Sequence, residues 1–217
     1  MKQCVAWLVA VFASVGLQSC KDDEYVYPEV LTEFIGLQTD ASGTGCELVS
    51  DKGQTLRIQP RDGLVGLVAD TLYRTVSVYS VIGDDGTTQA KLYSCSRVLS
   101  LLPVPSNTFK GGVKTDPVDI QSLWRSGNYL NMVLLVQVKQ EKHTYHFIDE
   151  GITEADGVRT LHLRLYHDSN GDYAAFTHRT YLSVPLWGYA DRLRAGDKVR
   201  FALNTDKEGE TYREFDY

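Results

Sequence analysis

The sequence has no excess of basic residues, few cysteines and no long apolar run beyond its first twenty residues. Its 217 residues include 22 Lys and Arg against 28 Asp and Glu, which gives a net charge of −6 at pH 7. An acidic balance without a basic cluster argues against binding to the phosphates of nucleic acid. The longest later run of uninterrupted large apolar side chains, residues 132–136, is only long enough for a strand. A second membrane-crossing segment is therefore not predicted.

Motifs of catalysis are missing as well. The chain has no Gly-x-Ser-x-Gly elbow, no Gly-rich phosphate loop, no His-Glu-x-x-His and no Cys-x-x-Cys. Carboxylates that could work as a pair on a glycoside are present, but spacing in a β protein does not bring them to one place: Asp149, Glu150, Asp168 and Asp172. We therefore predict a protein that is not an enzyme and that needs no cofactor.

The first twenty residues of the chain have the features of an export signal. Lys2 precedes an apolar stretch over residues 5–17, and Leu17-Gln18-Ser19 leads to Cys20. This order is typical of a secretory signal, and about fifteen residues are short for a bilayer span of roughly twenty. The segment before Cys20 resembles a bacterial lipobox. We expect residues 1–19 to be removed and Cys20 to carry lipid that anchors the protein to a membrane.

The residues after Cys20 are charged. Lys21, Asp22, Asp23 and Glu24 resemble the acidic export signal of surface lipoproteins in the Bacteroidota, and residues 20–32 read as a lipidated tether. The same tract could serve only as a solvated spacer. The favoured prediction is an outer-membrane lipoprotein exposed at the cell surface, and the alternative is one that faces the periplasm.

Two cysteines remain once Cys4 leaves with the signal and Cys20 takes lipid. Cys46 and Cys95 could form a disulfide in an oxidising envelope, or both could be buried free thiols. The sequence leaves the two readings open.

Short β-prone runs separated by Gly-rich turns fill the rest of the chain. Five of them in residues 33–102, including a hairpin turn at Asp51-Lys52-Gly53, predict a small closed barrel. Residues 103–116 are rich in Pro and Gly and read as a linker. About six further strands in residues 117–217 predict an antiparallel β-sandwich. A short helix is possible within residues 120–124 or 190–194, and the fold class is all-β.

Metal sites receive weak support. The five histidines lack convergent spacing and are expected to be scattered, exposed imidazoles: His143, His146, His162, His167 and His178. Asp168, Asn170 and Asp172 follow the first oxygen positions of a calcium loop, but Tyr173 and Arg179 replace the Gly and Glu that such a loop needs. An Asn-Gly turn is the favoured reading.

Aromatic residues are the remaining signal of a binding site. Trp124, Trp187 and Tyr189 could form a platform for a sugar or a peptide, although large aromatics also fill β-sandwich cores.

The second half of the chain resembles a known family. Asp116-Pro117-Val118-Asp119-Ile120 with Leu123-Trp124, then Gly127-Asn128-Tyr129-Leu130-Asn131, then a turn within residues 166–172 are similar to the NigD-like lipoproteins of Bacteroidota. The resemblance implies an N-terminal OB-like barrel and a C-terminal β-sandwich. It also implies an accessory or immunity role at a bacteriocin locus, and it supplies no catalytic residues.

We therefore predict a lipid-anchored accessory module that binds a protein or a glycan. The alternatives are a bacteriocin immunity lipoprotein and, less favoured, a hydrolase that uses paired carboxylates. The predicted partners are the membrane, through the lipid anchor, and an unknown protein or glycan, with no nucleic acid.

Overall fold

The structure is a computed structural model that describes residues 29–83 and 88–217. The predicted signal segment, the lipidation candidate Cys20 and the acidic tract Lys21–Glu24 lie outside the described residues. No helix in the described ranges has the length and apolar character that crossing a membrane requires.

The described chain is built from strands. In the first half they are β1 (Val30–Thr39), β2 (Gly45–Val49), β3 (Thr55–Ile58), β4 (Leu72–Ile82) and β5 (Gln89–Arg97). In the second half they are β6 (Val104–Pro105), β7 (Asp119–Ser126), β8 (Tyr129–Val138), β9 (Thr144–Ala155), β10 (Val158–Asp168), β11 (Phe176–Pro185), β12 (Lys198–Thr205) and β13 (Gly209–Asp216). Single 3-10 turns follow β6 and β11, at Ser106–Thr108 and Trp187–Tyr189.

Strands β1 to β5 form a closed barrel in the order β1-β2-β3-β5-β4. The closure is a short parallel pairing of β3 with β5, while the other neighbours are antiparallel. Alternate residues of β1, such as Ile35 and Leu37, point inward and meet Leu48, Tyr79 and Leu92 in a small core. The predicted five-strand barrel is confirmed.

The second half is a β-sandwich. A five-stranded sheet in the order β13-β12-β10-β9-β6 covers a three-stranded sheet in the order β11-β8-β7. Strand β10 alternates as predicted: Leu161, Leu163 and Leu165 are buried, while His162 and Arg164 face the other side. The core between the sheets is larger than that of the barrel and includes Phe147 and Phe201.

Two local expectations fail. Residues 120–124 are part of strand β7 and not a helix, because Ile120 and Leu123 both pack on the core once a bulge between Ile120 and Ser122 restores the alternation. Residues 103–116 do more than link the two domains. Strand β6 within them pairs with β9, and Thr115 bridges His167.

One buried cation joins the barrel to the sandwich. The Arg74 guanidinium on β4 forms a two-pronged ion pair with Asp51 in the β2–β3 turn, and both side chains are more than nine-tenths buried. It also donates to Asn131 Oδ1 on β8 at 2.9 Å and to Ser183 Oγ on β11 at 3.3 Å. The face of Tyr129 lies 4.0 Å from the same group. Arg74 thus connects the barrel to two strands of the sandwich, β8 and β11.

The β7–β8 turn sits directly on Asp51. Gly127 has a φ of +53°, and a Cβ atom there would lie 2.2 Å from the Asp51 carbonyl oxygen. Only glycine allows both this conformation and this close approach. The β2–β3 turn is therefore held from two sides, by the Arg74 side chain and by the Gly127 backbone.

We expect Arg74→Met to lower the free energy of unfolding by about 3–5 kcal/mol, because it leaves the Asp51 carboxylate buried without its cation. Urea unfolding measures the change. Arg57→Met is the matched control. The Arg57 side chain is 81% exposed and its contact with Glu47 is long, at 3.9 Å, so its replacement should lower the free energy of unfolding by less than about 1 kcal/mol. Equal losses in the two variants would contradict this role for Arg74.

Candidate functional site

A large cavity forms a groove between the barrel and the sandwich, which we call the interdomain groove. Its volume is about 1040 Å³. Residues 31–35 of β1 form one wall, and residues 50–56, the β2–β3 turn with the start of β3, form the opposite wall. The sandwich closes one side with Trp124, Val133 and Tyr181.

The groove exists because β1 has two different neighbours along its length. The pairing of β1 with β4 runs from Val30 to Gln38, whereas its pairing with β2 begins only at Gly36. Over residues 30–35, the edge of β1 that faces away from β4 has no strand partner within the described ranges. We call this stretch the free edge of β1.

The β2–β3 turn forms part of the wall opposite β1. The Ser50 amide donates to the Gln54 carbonyl, the Gly53 amide donates to the Ser50 carbonyl, and Gly53 has a φ of +80°. This is the tight hairpin that Asp51-Lys52-Gly53 predicts. Arg74 and the backbone at Gly127 both contact Asp51, the first residue of this three-residue turn.

Aromatic rings line the sandwich side of the groove. The Phe34 ring on β1 meets the Trp124 ring edge to face at 5.1 Å between centroids and lies 5.9 Å from the Tyr181 ring. Phe34, Trp124 and Tyr181 are all half-buried, so part of each side chain is available to a bound molecule.

A polar pair lies on the barrel side. Tyr79 donates its hydroxyl hydrogen to Glu33 Oε2 at 2.7 Å. Burial and the neighbouring Glu33 carboxylate together raise the pKa of Tyr79 well above its ordinary value, so the phenol stays protonated and keeps donating. Glu33 is exposed and lies within the free edge, which puts one carboxylate at the middle of the groove wall.

The three candidate binding aromatics do not come together. Trp124 lines the interdomain groove. Trp187 is 52% exposed on the 3-10 turn after β11, and Tyr189 is buried with its hydroxyl bonded to Asp149. Tyr189 therefore belongs to the sandwich core, and the platform suggested by the sequence is not assembled.

The candidate calcium residues form a turn. Asp168 Oδ1 accepts from the Asn170 amide, and Asn170 and Gly171 both have positive φ. The Asp172 side chain turns away from this loop and accepts from the backbone amides of Lys139 and Gln140. These bonds hold the pKa of Asp172 below its ordinary value even though burial opposes them. The carboxylate of Asp172 is thus engaged with the β8–β9 turn.

The expectation of scattered, exposed histidines is wrong for two of them. His143 Nδ1 lies 2.9 Å from His167 Nε2, and the ring of His167 stacks on Tyr145. His167 Nδ1 donates to the Asp116 carbonyl, so its Nε2 is the acceptor for His143. His143 Nε2 faces Asp172 at 3.4 Å, completing a buried chain from Asp172 to Asp116. Residues 24 positions apart in sequence meet because β9 and β10 are paired in register.

The two cysteines of the described chain are free thiols. Cys46 Sγ contacts the Gln38 carbonyl, and Cys95 Sγ accepts from the Ser77 hydroxyl. Burial raises the pKa of Cys46, so the thiol form is favoured. Both thiols are only half-buried, whereas the free-thiol alternative from the sequence expected them to be buried.

The candidate catalytic carboxylates have separate partners. Asp149 accepts from Tyr189, Glu150 pairs with Arg164, Asp168 caps its own turn, and Asp172 binds the β8–β9 turn. None of the four lines the interdomain groove. The groove offers apolar rings, a strand edge and two carboxylates, of which Asp51 is paired with Arg74, and these features suit the binding of another molecule.

Sequence reasoning missed the residues that build the groove walls. Phe34 and Tyr79 lie in strands that the sequence identifies, but both read as ordinary barrel positions. The only available signal was the length of β1: ten residues are more than the five-residue β2 can cover.

Burial lowers the pKa of His167 below its ordinary value, against the opposing bond to Asp116. In the unfolded chain the imidazole of His167 takes up a proton near pH 6.5, whereas in the folded protein it takes up a proton only at lower pH. The free energy of unfolding should therefore fall as the pH drops from about 6.5 toward 5, before carboxylates near pH 4 contribute.

Urea unfolding between pH 7.5 and 5 measures this loss. His167→Gln should flatten the dependence, and His178→Gln, at an exposed position of β11, should leave it unchanged. The same slope in all three proteins would show that another group is responsible.

The comparisons with known proteins agree with this architecture. The family model described as the NigD-like C-terminal beta sandwich domain matches residues 100–217. A solved NigD-like immunity protein from Bacteroides caccae is 32% identical with a TM-score of 0.74, covering 89% of this chain and 99% of that one. No match is found among curated proteins.

Two further solved structures share the fold at low identity. A protein of unknown function from Bacteroides vulgatus is 18% identical with a TM-score of 0.69, covering 87% of this chain and 91% of that one. A candidate lipoprotein from Bacteroides fragilis is 13% identical with a TM-score of 0.60, covering 88% of this chain and 97% of that one. At these identities the likeness concerns the fold alone.

Proposed function

The chain belongs to the NigD-like family, and from this premise we propose that it is a non-enzymatic lipoprotein that binds a partner protein in its interdomain groove. The free edge of β1 is the observation that carries the proposal. An unpaired strand edge presents backbone amides and carbonyls that only a few kinds of molecule can satisfy. The proposal places the protein at the outer membrane, facing the cell surface.

The chemistry of the groove favours binding over catalysis. Of the acidic groups in its described lining, Glu33 accepts from Tyr79 and Asp51 is neutralised by Arg74. The remaining lining residues are mostly apolar or carry hydroxyl groups, as in Thr32 and Ser126. Such a lining supports recognition by shape and backbone hydrogen bonds.

A protein is favoured over a glycan as the partner. Sugar recognition uses an aromatic ring whose face is open, whereas Trp124 packs edge to face with Phe34. Tyr129, its neighbour on the next strand, lies beneath the Arg74 guanidinium. The groove is instead bounded by backbone, which is the feature that a polypeptide matches.

The anchor would hold the groove close to the membrane. Val30, where the free edge begins, lies ten positions after Cys20. A fully extended chain of that length spans at most about 36 Å. A lipidated Cys20 would thus keep the groove within about one protein diameter of the bilayer, where it could meet a partner held in the same membrane.

Cys20→Ala should move the protein from the membrane fraction to the soluble fraction, because it removes the thiol that would carry lipid. Fractionation followed by immunoblotting measures the shift. Cys46→Ala is the control, since Cys46 is a half-buried free thiol on β2 and its replacement should leave the protein with the membrane. Retention of the Cys20→Ala protein in the membrane would argue against lipid attachment at this residue.

Partner binding can be tested without knowing the partner. A photo-cross-linking amino acid at exposed Thr32, on the free edge, should yield a discrete protein adduct in a Bacteroides host that expresses the protein. The same amino acid at Thr177, exposed on β11 and outside the groove, should not. Mass spectrometry identifies the adduct. No adduct at position 32, or the same adducts at both positions, would refute groove binding.

Bacteriocin immunity is the second candidate function. The solved relative from Bacteroides caccae, of which nearly the whole length aligns with this chain, is a NigD-like immunity protein. In that case the groove would intercept a toxin at the envelope, and the adduct at position 32 would be a toxin rather than a resident envelope protein.

A further inference from the structure

We propose that the partner enters the interdomain groove as an extended strand that pairs with the free edge of β1. The segment carries one basic residue flanked by apolar residues. This inference rests on the proposed function and goes beyond it, because it specifies the conformation and the chemistry of the bound segment. Its basis is the geometry of the groove walls.

The free edge sets the conformation of the ligand. In an antiparallel pair each strand directs the N–H and C=O groups of every second residue toward the same neighbour. Residues 30–35 use one such set on β4, so about three residues have a set that points away from β4 into the groove. A ligand that supplies matching donors and acceptors at this spacing is another extended backbone.

The dimensions agree with a strand. Six residues of β1 extend about 20 Å at roughly 3.3 Å per residue. The groove volume of about 1040 Å³ is just above the roughly 300–1000 Å³ typical of small-molecule pockets, so the groove has room for a ligand larger than a typical small molecule. A segment of about six residues would use the whole length of the free edge.

Both faces of an added strand would meet protein. On the barrel side it would face Leu31 and Leu56, and on the sandwich side Phe34, Trp124 and Tyr181. Most edge strands have one wet face and alternate in polarity. Here a consecutive apolar run is favoured, because side chains that point to either side are removed from water.

The negative charge of Glu33 favours a basic residue at one position of the bound segment. Glu33 lies at the middle of the free edge and is exposed, with one oxygen bonded to Tyr79. The neighbouring Asp51 is neutralised by Arg74, and Lys52 is exposed on the turn at the opposite wall. Directly opposed residues in antiparallel strands have Cβ atoms about 4.5–5.5 Å apart, within reach of an ion pair. A Lys or Arg opposite Glu33 completes the match.

The experiment uses a phage-displayed library of random octapeptides and the full chain carrying Cys20→Ala. We expect enriched peptides with one basic residue among apolar residues. Thr32→Trp, which fills the groove, should abolish their binding, whereas Thr177→Trp, outside the groove, should not. Circular dichroism and thermal unfolding establish that the variants are folded.

A backbone scan of an enriched peptide then tests strand pairing. N-methylation removes one amide hydrogen at a time, and we expect affinity to fall about tenfold or more at every second residue and to change little at the residues between. Glu33→Lys should weaken binding about fivefold or more, and a peptide with Glu in place of its basic residue should regain affinity for that variant.

The outcomes separate the two proposals. Peptides that are blocked by Thr32→Trp but show no alternation on N-methylation would leave groove binding standing and refute strand addition. Failure to enrich any peptide would refute strand addition, while the cross-link at position 32 decides on partner binding by itself. Binding only after removal of residues 21–28 would identify the chain's own tether as the occupant and overturn the proposal.

Discussion

A single buried guanidinium holds the two domains in their relative positions. Arg74 is taken out of water by the barrel and the sandwich together, and a buried cation is tolerated only when its donors are satisfied. Asp51, Asn131 and Ser183 supply those acceptors from the β2–β3 turn, β8 and β11. Because these groups belong to both domains, any rotation of one domain against the other would leave a charge or a polar group unpaired.

The interdomain groove follows from that constraint. Strand β1 is longer than β2, so residues 30–35 of β1 extend beyond their pairing with β2. In an isolated barrel this free edge would face solvent. With the sandwich fixed by Arg74, the edge instead opens into a cavity with the aromatic rings of Phe34, Trp124 and Tyr181 on one flank. The same ion pair includes Asp51 of the β2–β3 turn. The Arg74–Asp51 ion pair therefore acts together with the Gly127 contact and the aromatic packing of Phe34 where the two domains meet.

The acidic character of the chain is expressed elsewhere. On the outer face of the five-stranded sheet, Arg164 pairs with Glu150 and Glu210, and Arg200 pairs with Glu214. These side chains are partly exposed, from 22% for Arg164 to 59% for Glu210, and ion pairs that remain in contact with water contribute little to stability. The contrast with Arg74 shows that burial decides how much an ion pair contributes. On a solvent-exposed sheet face the pair changes the stability little, whereas the buried pair of Arg74 affects how the two domains are arranged.

The sequence by itself determined the strands, the hairpin turn at residues 51–53, the barrel followed by a sandwich, and the family, because alternation and turn chemistry are local. It did not determine which side chains meet. His143 and His167 come together only because β9 and β10 pair in register. Trp124 lines the groove while Tyr189 enters the core, although both looked alike as aromatic residues between turns. The groove was decided by tertiary structure, since it arises where an unmatched strand edge, a turn and a second domain meet, and such contacts between distant residues leave no local pattern.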